Sequence, residues 1–307
     1  MKKYIYGIDV GGTFIKLGLF RKNDDKLIVK SQIPTPKKDH MKTIFDAIVD
    51  EIEVLNKKES IHMDDIDGIG LAIPCPTKAG YVSTCSNLEF CDFDIEKSFK
   101  KRLPTHISVK VANDATLAAL GENKSLEKPF DNAVLITLGT GVGGGIIIDS
   151  KIYEGKSGIG GEIGHIKVFD TDEICGCGSQ GCLEQVCGTK GILSFAKKQK
   201  AEIGSILEEK FSVKDVFDAA KNNDKAALNT VNRVAKYLAI AAVNLAVIIE
   251  PEAFIIGGGV SKAGDFLLKR IIKAFKENAR FDTSTIPFIL ASTGNDAGMI
   301  GAYFHVK

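Results

Sequence analysis

The residues of this chain best equipped for chemistry are three thiols and an imidazole set close together. Cys175, Cys177 and Cys182 fall within the ten residues C-G-C-G-S-Q-G-C-L-E, which end on Glu184. His165 lies ten residues upstream of the first thiol, inside G-G-E-I-G-H. Three thiolates and one imidazole form a closed Cys3His set, the ligand pattern of a structural zinc site. Glycines at 176, 178 and 181 would let the chain fold tightly around an ion where side chains would crowd it. Glu162 and Glu184 flank the ligands, so a bound Zn2+ would hold two carboxylates in place. That arrangement fits a metal knot supporting a polar binding site better than a metal performing the reaction.

The alternative is a set of buried, inert thiols, since Cys is among the most commonly buried residues. Four further cysteines, Cys75, Cys85, Cys91 and Cys187, need no metal. An odd total of seven in a chain without a secretory signal argues against a disulfide framework. C-x-C is also a poor match to a C-x-x-C redox pair.

Glycine clusters follow three apolar runs: D-V-G-G-T at 9–13, G-T-G-V-G-G-G at 139–145 and G-G-G-V-S at 257–261. Glycine lets backbone N–H groups approach phosphate oxygens without a Cβ in the way. Residues 139–144 satisfy G-x-G-x-x-G, but the dinucleotide fingerprint requires a helix next and I-I-I-D follows, so a hairpin is expected. Gly155-Lys156-Ser157 lacks the first glycine of a P-loop, because Ser150 stands there. One cluster alone could be an ordinary turn. Three together, with Asp9, Thr13 and Lys16 beside the first, favour a nucleotide phosphate site with a cation. Asn113-Asp114 sits where an apolar run passes into an alanine-rich segment. Asn113 suits a helix N-cap, leaving the Asp114 carboxylate free to accept a hydroxyl proton in a cleft.

The elements that must hold these groups alternate between strand and helix. Strands are expected at 4–10, 14–20, 27–33, 66–73, 107–112, 133–138, 146–149, 253–256 and 286–291. Helical spacing marks 40–57, 213–222, 224–249, 262–278 and 295–305, with 194–212 as solvated helix and loop. I-D-V-G-G-T-F-I-K aligns with I-T-L-G-T-G-V-G-G at an offset of 128, which suggests a duplicated α/β architecture. The 307 residues can build two domains. Charge is balanced, 40 basic against 39 acidic residues, so no polyanion-binding surface is advertised. No uninterrupted apolar run approaches the ~20 residues of a membrane span, and the reading is a cytosolic protein in a reducing compartment.

Taken together, these segments resemble the ROK family of bacterial sugar kinases and repressors, within the actin, heat-shock-70 and hexokinase superfamily. D-V-G-G-T-F-I-K is similar to its first phosphate motif, L-G-T-G-V-G-G-G to its second, and I-G-G-G-V-S to its nucleotide-proximal segment. V-A-N-D-A resembles its catalytic segment, and G-E-I-G-H with C-G-C-G-S-Q-G-C-L-E its sugar and zinc signature. The resemblance runs along essentially the whole chain. It implies a two-lobed, duplicated actin/hexokinase-like (ribonuclease H-like) α/β fold with a cleft between the lobes. The lobes would be residues 1–112 with 295–307, and residues 113–294.

By the same resemblance, ATP, Mg2+ and a sugar would meet in that cleft, with Zn2+ structural on His165, Cys175, Cys177 and Cys182. Asp114 would be the general base toward the sugar's 6-hydroxyl. Asn87, Asn113, Glu162, His165 and Glu184 would hold sugar hydroxyls. Asp9 would serve Mg2+, while Gly11, Gly12, Thr13, Lys16, Gly139, Thr140, Gly141, Gly257, Gly258 and Gly259 would line the nucleotide side. The chain departs from the common pattern at Pro74-Cys75-Pro76 and Glu89-Phe90, and it has no Trp. An ATP-dependent, glucokinase-like hexose kinase is therefore expected, with N-acetylmannosamine or N-acetylglucosamine kinase as the alternative. A repressor is disfavoured because the first phosphate motif begins by Asp9, and a homodimer or homotetramer is implied. A catalytically dead sugar sensor sits poorly with Asp114 and both phosphate turns.

Overall fold

The computed structural model describes residues 3–85, 88 and 90–307. The first half opens with a hairpin, β1 (Tyr4–Val10) and β2 (Phe14–Arg21), followed by β3 (Lys26–Pro34), α1 (His40–Glu59) and β4 (Ile66–Ile73). A small hairpin, β5 (Tyr81–Cys85) and β6 (Phe90–Asp94), leads through α2 (Ile95–Lys100) to β7 (Ser108–Asn113) and α3 (Asp114–Lys124).

The second half repeats the opening with β8 (Ala133–Leu138), β9 (Val142–Ile148) and β10 (Lys151–Ile152). After a long loop come α4 (Glu184–Cys187), α5 (Thr189–Ile203), α6 (Val213–Lys221) and α7 (Lys225–Ile249). The chain closes with β11 (Ala253–Gly257), α8 (Asp265–Asn278), β12 (Phe288–Leu290) and α9 (Ala297–Val306).

Two five-stranded sheets result, ordered β3-β2-β1-β4-β7 and β10-β9-β8-β11-β12. In each, the central strand pairs antiparallel with its hairpin partner and parallel with the next strand, so the duplication read from residues 9 and 137 extends to whole-sheet topology. Strands covered on both faces must be apolar throughout. β1 and β4 meet this condition, with Ile5, Tyr6, Ile8, Ile69, Leu71 and Ile73 buried. Ile44, Phe45, Ile48 and Ile52 of α1, spaced for one helix face, cover one side of the first sheet.

The terminal helix of each half crosses to the other half. α9 packs on β1 and β4, while α3 packs on β9, and the two helices cross each other. At the crossing, a Cβ on Gly121 or Gly301 would run into the backbone of Ala297 or Leu117, so only glycine permits this approach.

The structure revises several expectations. Gly143, Gly144 and Gly145 lie inside β9 rather than in a turn, because the ladder to Leu135–Thr137 needs only backbone groups. The hairpin over 81–94 and α2 carried no periodic signal. Cys75 and Cys85, expected to stand unpaired, form a disulfide. Cys75 lies just past the end of β4 and Cys85 ends β5, two elements whose proximity only the folded chain creates. Among the described residues one helix, α7, is long and apolar enough to cross a membrane by composition. It packs against α5, α6 and α8, and its alanine-rich face lies in the core of the second half.

Candidate active site

The two phosphate-like hairpins and the Asn113-Asp114 junction meet where strand ends from both halves converge. Asn113 closes β7, and its Oδ1 accepts from the backbone N–H groups of Ala115 (3.0 Å) and Thr116 (3.1 Å), capping α3. Its amide also donates to the Cys75 carbonyl at 3.5 Å. Asp114 Oδ1 accepts the Ala115 N–H at 2.7 Å, which fixes the carboxylate and leaves Oδ2 without a partner among the described residues. Burial pushes the Asp114 carboxyl up to about 6, and the charges of Asp9 and Glu162 push in the same direction. Three acids from three separate segments therefore come within electrostatic reach of one another, Asp9 and Asp114 half-buried and Glu162 at the exposed edge.

Asp9, at the end of β1, is also raised by burial; Lys16 opposes this at 3.4 Å and Asp296 reinforces it. Lys16 donates to the Asn295 carbonyl at 2.6 Å as well, so it ties the first hairpin to the start of α9. Between β1 and β2, Gly11 N–H is used by the Phe14 carbonyl (3.0 Å), while Gly12 faces open space and Thr13 is exposed.

In the second hairpin, Glu184 Oε2 accepts the Val142 N–H at 3.0 Å and fills the position a Cβ on Gly141 would need. Thr189, at the start of α5, donates from its hydroxyl to the Gly139 carbonyl at 2.9 Å. Gly139, Thr140 and Gly259 border a cavity of about 570 Å3 between α5, α6 and the segment before α8. Leu193, Phe217, Val260 and Ala263 give it apolar walls, with Lys214 and Lys262 also on its lining. An apolar slot opening onto glycine-rich turns suits a flat aromatic base with its phosphates outside. Gly257 ends β11 beside Thr137, and Gly258 packs on the Leu138 backbone, so both act in shaping this turn.

The thiols and imidazole converge as their spacing suggested. The ligand atoms of His165, Cys175, Cys177 and Cys182 all lie within 4.8 Å of one another. His165 Nδ1 is 3.8 Å from Cys175 Sγ, and Cys177 Sγ is 3.7 Å from Cys182 Sγ. A tetrahedron with bonds of about 2.3 Å has edges of about 3.8 Å, so the set fits one tetrahedral cation. Gly178 and Gly181 adopt positive φ (84° and 75°), which the turns between ligands require, whereas Gly176 does not. Burial pushes the Cys182 thiol up to about 12, a cost that a divalent cation would reverse by holding the thiolate.

The site thus brings together Asp9, Asn113, Asp114, Glu162 and Lys16, and separately Glu184, Gly139, Thr140 and Gly141. Asn87 falls outside the described residues. Sequence reasoning missed Thr189, Leu193 and Phe217, which belong to helices whose amphipathic pattern reports only their core face. It also missed Glu122 on α3. This buried carboxylate accepts from Ser292 N–H (2.8 Å), Thr293 N–H (3.1 Å) and Thr293 Oγ1 (2.6 Å), pinning α3 to the loop before α9.

Comparison with known proteins places this geometry. The model of the ROK family matches residues 5–307. The chain belongs to the ROK family. A glucokinase of Halalkalibacterium halodurans is 39% identical, covering 99% of this chain and 95% of its own length. An N-acetylmannosamine kinase of Vibrio cholerae is 31% identical, with 98% of each chain covered. Among solved structures, a ROK family glucokinase from Streptomyces griseus, in complex with glucose and AMPPNP, superposes with a TM-score of 0.76 at 28% identity and covers 98% of each chain. The fold of this family member is accordingly the duplicated actin/hexokinase-like one.

Proposed function

We propose that this ROK-family chain is an ATP-dependent hexose kinase that phosphorylates the 6-hydroxyl of glucose. The observation that carries the reading is Asp114, a half-buried carboxylate with one oxygen pinned and the other open, its pKa raised to about 6 by desolvation and two further acids. A general base works best with a pKa near the working pH. In this reading Asp114 Oδ2 takes the proton of the sugar hydroxyl as its oxygen bonds the γ-phosphorus. The bond to the bridging oxygen breaks and ADP leaves.

The glycine turns at Gly11–Thr13 and Gly139–Gly141 cradle phosphates through N–H groups other than those of Gly11 and Gly139, which donate within the turns, and the 570 Å3 slot takes the adenosine. The acids at Asp9 fit Mg2+, which would neutralise phosphate charge when bound. The Cys3His set fits Zn2+ in a structural role. With His165 Nδ1 turned toward the metal, Nε2 is left to face the sugar, and Glu184 is fixed beside the same segment. Asn87, Asn113 and Glu162 complete the sugar contacts. The lobes in this reading are residues 1–112 with 295–307, and residues 113–294. Cytoplasmic ATP, reduced ligand thiols, a homodimer or homotetramer and no nucleic-acid partner belong to the same reading.

An N-acetylmannosamine or N-acetylglucosamine kinase uses the same hydroxyl contacts and differs only in room at C2. Coupled ADP release with Mg-ATP across glucose, mannose, N-acetylglucosamine and N-acetylmannosamine tests the assignment. Preference for glucose is expected, an N-acetylated preference would replace the acceptor, and no turnover on any sugar would overturn the kinase reading.

A further inference from the structure

Cys75 and Cys85 are tied at a junction between the acceptor side of the cleft and the rest of the first half. Cys75 follows the end of β4, and its carbonyl accepts from Thr77 Oγ1 at 2.8 Å and from the Asn113 amide at 3.5 Å. Asn113 caps the helix that carries Asp114. Next in the chain, Thr77 packs its backbone against Gly158 of the other half, too close to admit a Cβ there. Cys85 ends β5, which pairs with β6 in a separate two-stranded sheet. The disulfide is thus a covalent cross-link between this hairpin, which packs Val82 and Phe90 into the first-half core, and the strand end that supports the catalytic junction. Of the remaining cysteines, Cys91 is exposed, Cys187 is buried away from the others, and three belong to the metal set.

Resting on the kinase reading, we propose that Cys75–Cys85 is a redox-reversible clamp that sets affinity for the acceptor sugar. The reagent class is a small thiol and its disulfide, such as glutathione. One thiolate attacks a sulfur of the pair and forms a mixed disulfide. A second displaces it, leaving two protein thiols and one oxidised small-molecule disulfide; the reverse steps restore the clamp. Both cysteines are buried, so attack waits on local opening of the β5–β6 hairpin. A sugar seated against this junction binds the clamped state more tightly than the reduced one, in which the strand end is freed from the hairpin. Linkage then requires reciprocity: the factor by which sugar favours the disulfide is the factor by which the disulfide favours sugar.

The test compares the full chain equilibrated in glutathione buffers of graded potential, with zinc content followed throughout. Thiol alkylation and mass spectrometry locate the disulfide, calorimetry gives glucose affinity, and hydrogen exchange follows residues 74–94. Reduction should weaken glucose binding about tenfold, within the usual range of coupling between sites. It should also speed exchange in the hairpin, while glucose shifts the midpoint toward the disulfide by the same factor. Cys85→Ser should bind weakly in every buffer and Cys91→Ser should respond as the wild type. Equal affinities and equal exchange in both redox states overturn the clamp alone, and they do so without any variant that must fold. Absence of glucose binding in both states, with exchange still redox-dependent, overturns the glucose assignment and with it the role of the clamp in glucose affinity.

Discussion

The two halves of this molecule share one frame and put the same tripeptide to different uses. In each half the fifth strand of the sheet hands over to Asn-Asp-Ala at the start of a helix: Asn113-Asp114-Ala115 after β7, and Asn295-Asp296-Ala297 after β12. In the first, Asn113 caps α3 and Asp114 is partly desolvated beside Asp9 and Glu162, which raises its carboxyl to about 6. In the second, Asn295 offers its carbonyl to Lys16, and Asp296 pairs with Lys30. The halves also differ in where they grew. Between β10 and β11 the second half inserts the metal loop and three long helices where the first has only α1. The first half instead inserts the disulfide-tied hairpin between β4 and β7. The lesson is that topology places a carboxylate at a cleft, while its neighbours decide whether it is a base or half of an ion pair.

The sharpest test of that comparison is the same substitution at both positions. Asp114→Asn should lower kcat by roughly 10²–10⁴-fold, the usual cost of a lost general base. Asp296→Asn should cost far less in steady-state turnover, and an equal loss at both would sink the comparison.

Next in size is the insertion unique to the second half. Cys177→Ser, or removal of the metal by a chelator, should raise the sugar KM by roughly 10–100-fold, as lost support of a metal site does. Full metal content with unchanged sugar affinity in the variant would break the link between the metal loop and Glu162, His165 and Glu184. The raised carboxyl of Asp114 also sets a pH dependence. Below about 6 the base is protonated, so kcat/KM should fall close to tenfold per pH unit, and a profile flat down to pH 5 would count against it.

Two smaller effects concern stability. Gly301→Ala should destabilise the chain by about 1–3 kcal/mol through overpacking at the α3–α9 crossing, measured by urea unfolding. Asp114→Asn should do the opposite. A carboxyl whose folded pKa lies above its ordinary 3.8 costs stability as pH rises from 3.8 through about 6. At pH 7 the asparagine variant should therefore be more stable by about 1–3 kcal/mol, and the difference should vanish below pH 4. A gain of stability at the cost of turnover would separate function from folding at this residue.

Much of the fold was legible because its signals are local. β1, β4 and β8 appeared at their observed bounds, since continuous apolar runs broken by glycine or proline admit few other structures. The Cys3His cluster was equally plain, because three of its four side chains lie within eight positions and the loop between them is short. The apolar slot beside Thr140 was only half visible. Its glycines carry a motif, but Leu193 and Phe217 come from helices distant in sequence, and no spacing announces a wall.

By itself, then, the sequence determined the alternation of strands and helices, the duplication, the ligand cluster and the residue types at the cleft. Each of these depends on periodicity or on neighbours along the chain. Only the tertiary structure decided that Asp9, Asp114 and Glu162 come together, that Asp296 pairs with Lys30, and that Cys75 meets Cys85. Those outcomes depend on burial and on charges brought together by the α3–α9 crossing and the convergence of strand ends. Desolvation and proximity are properties of the packed chain, and no spacing in the sequence encodes them.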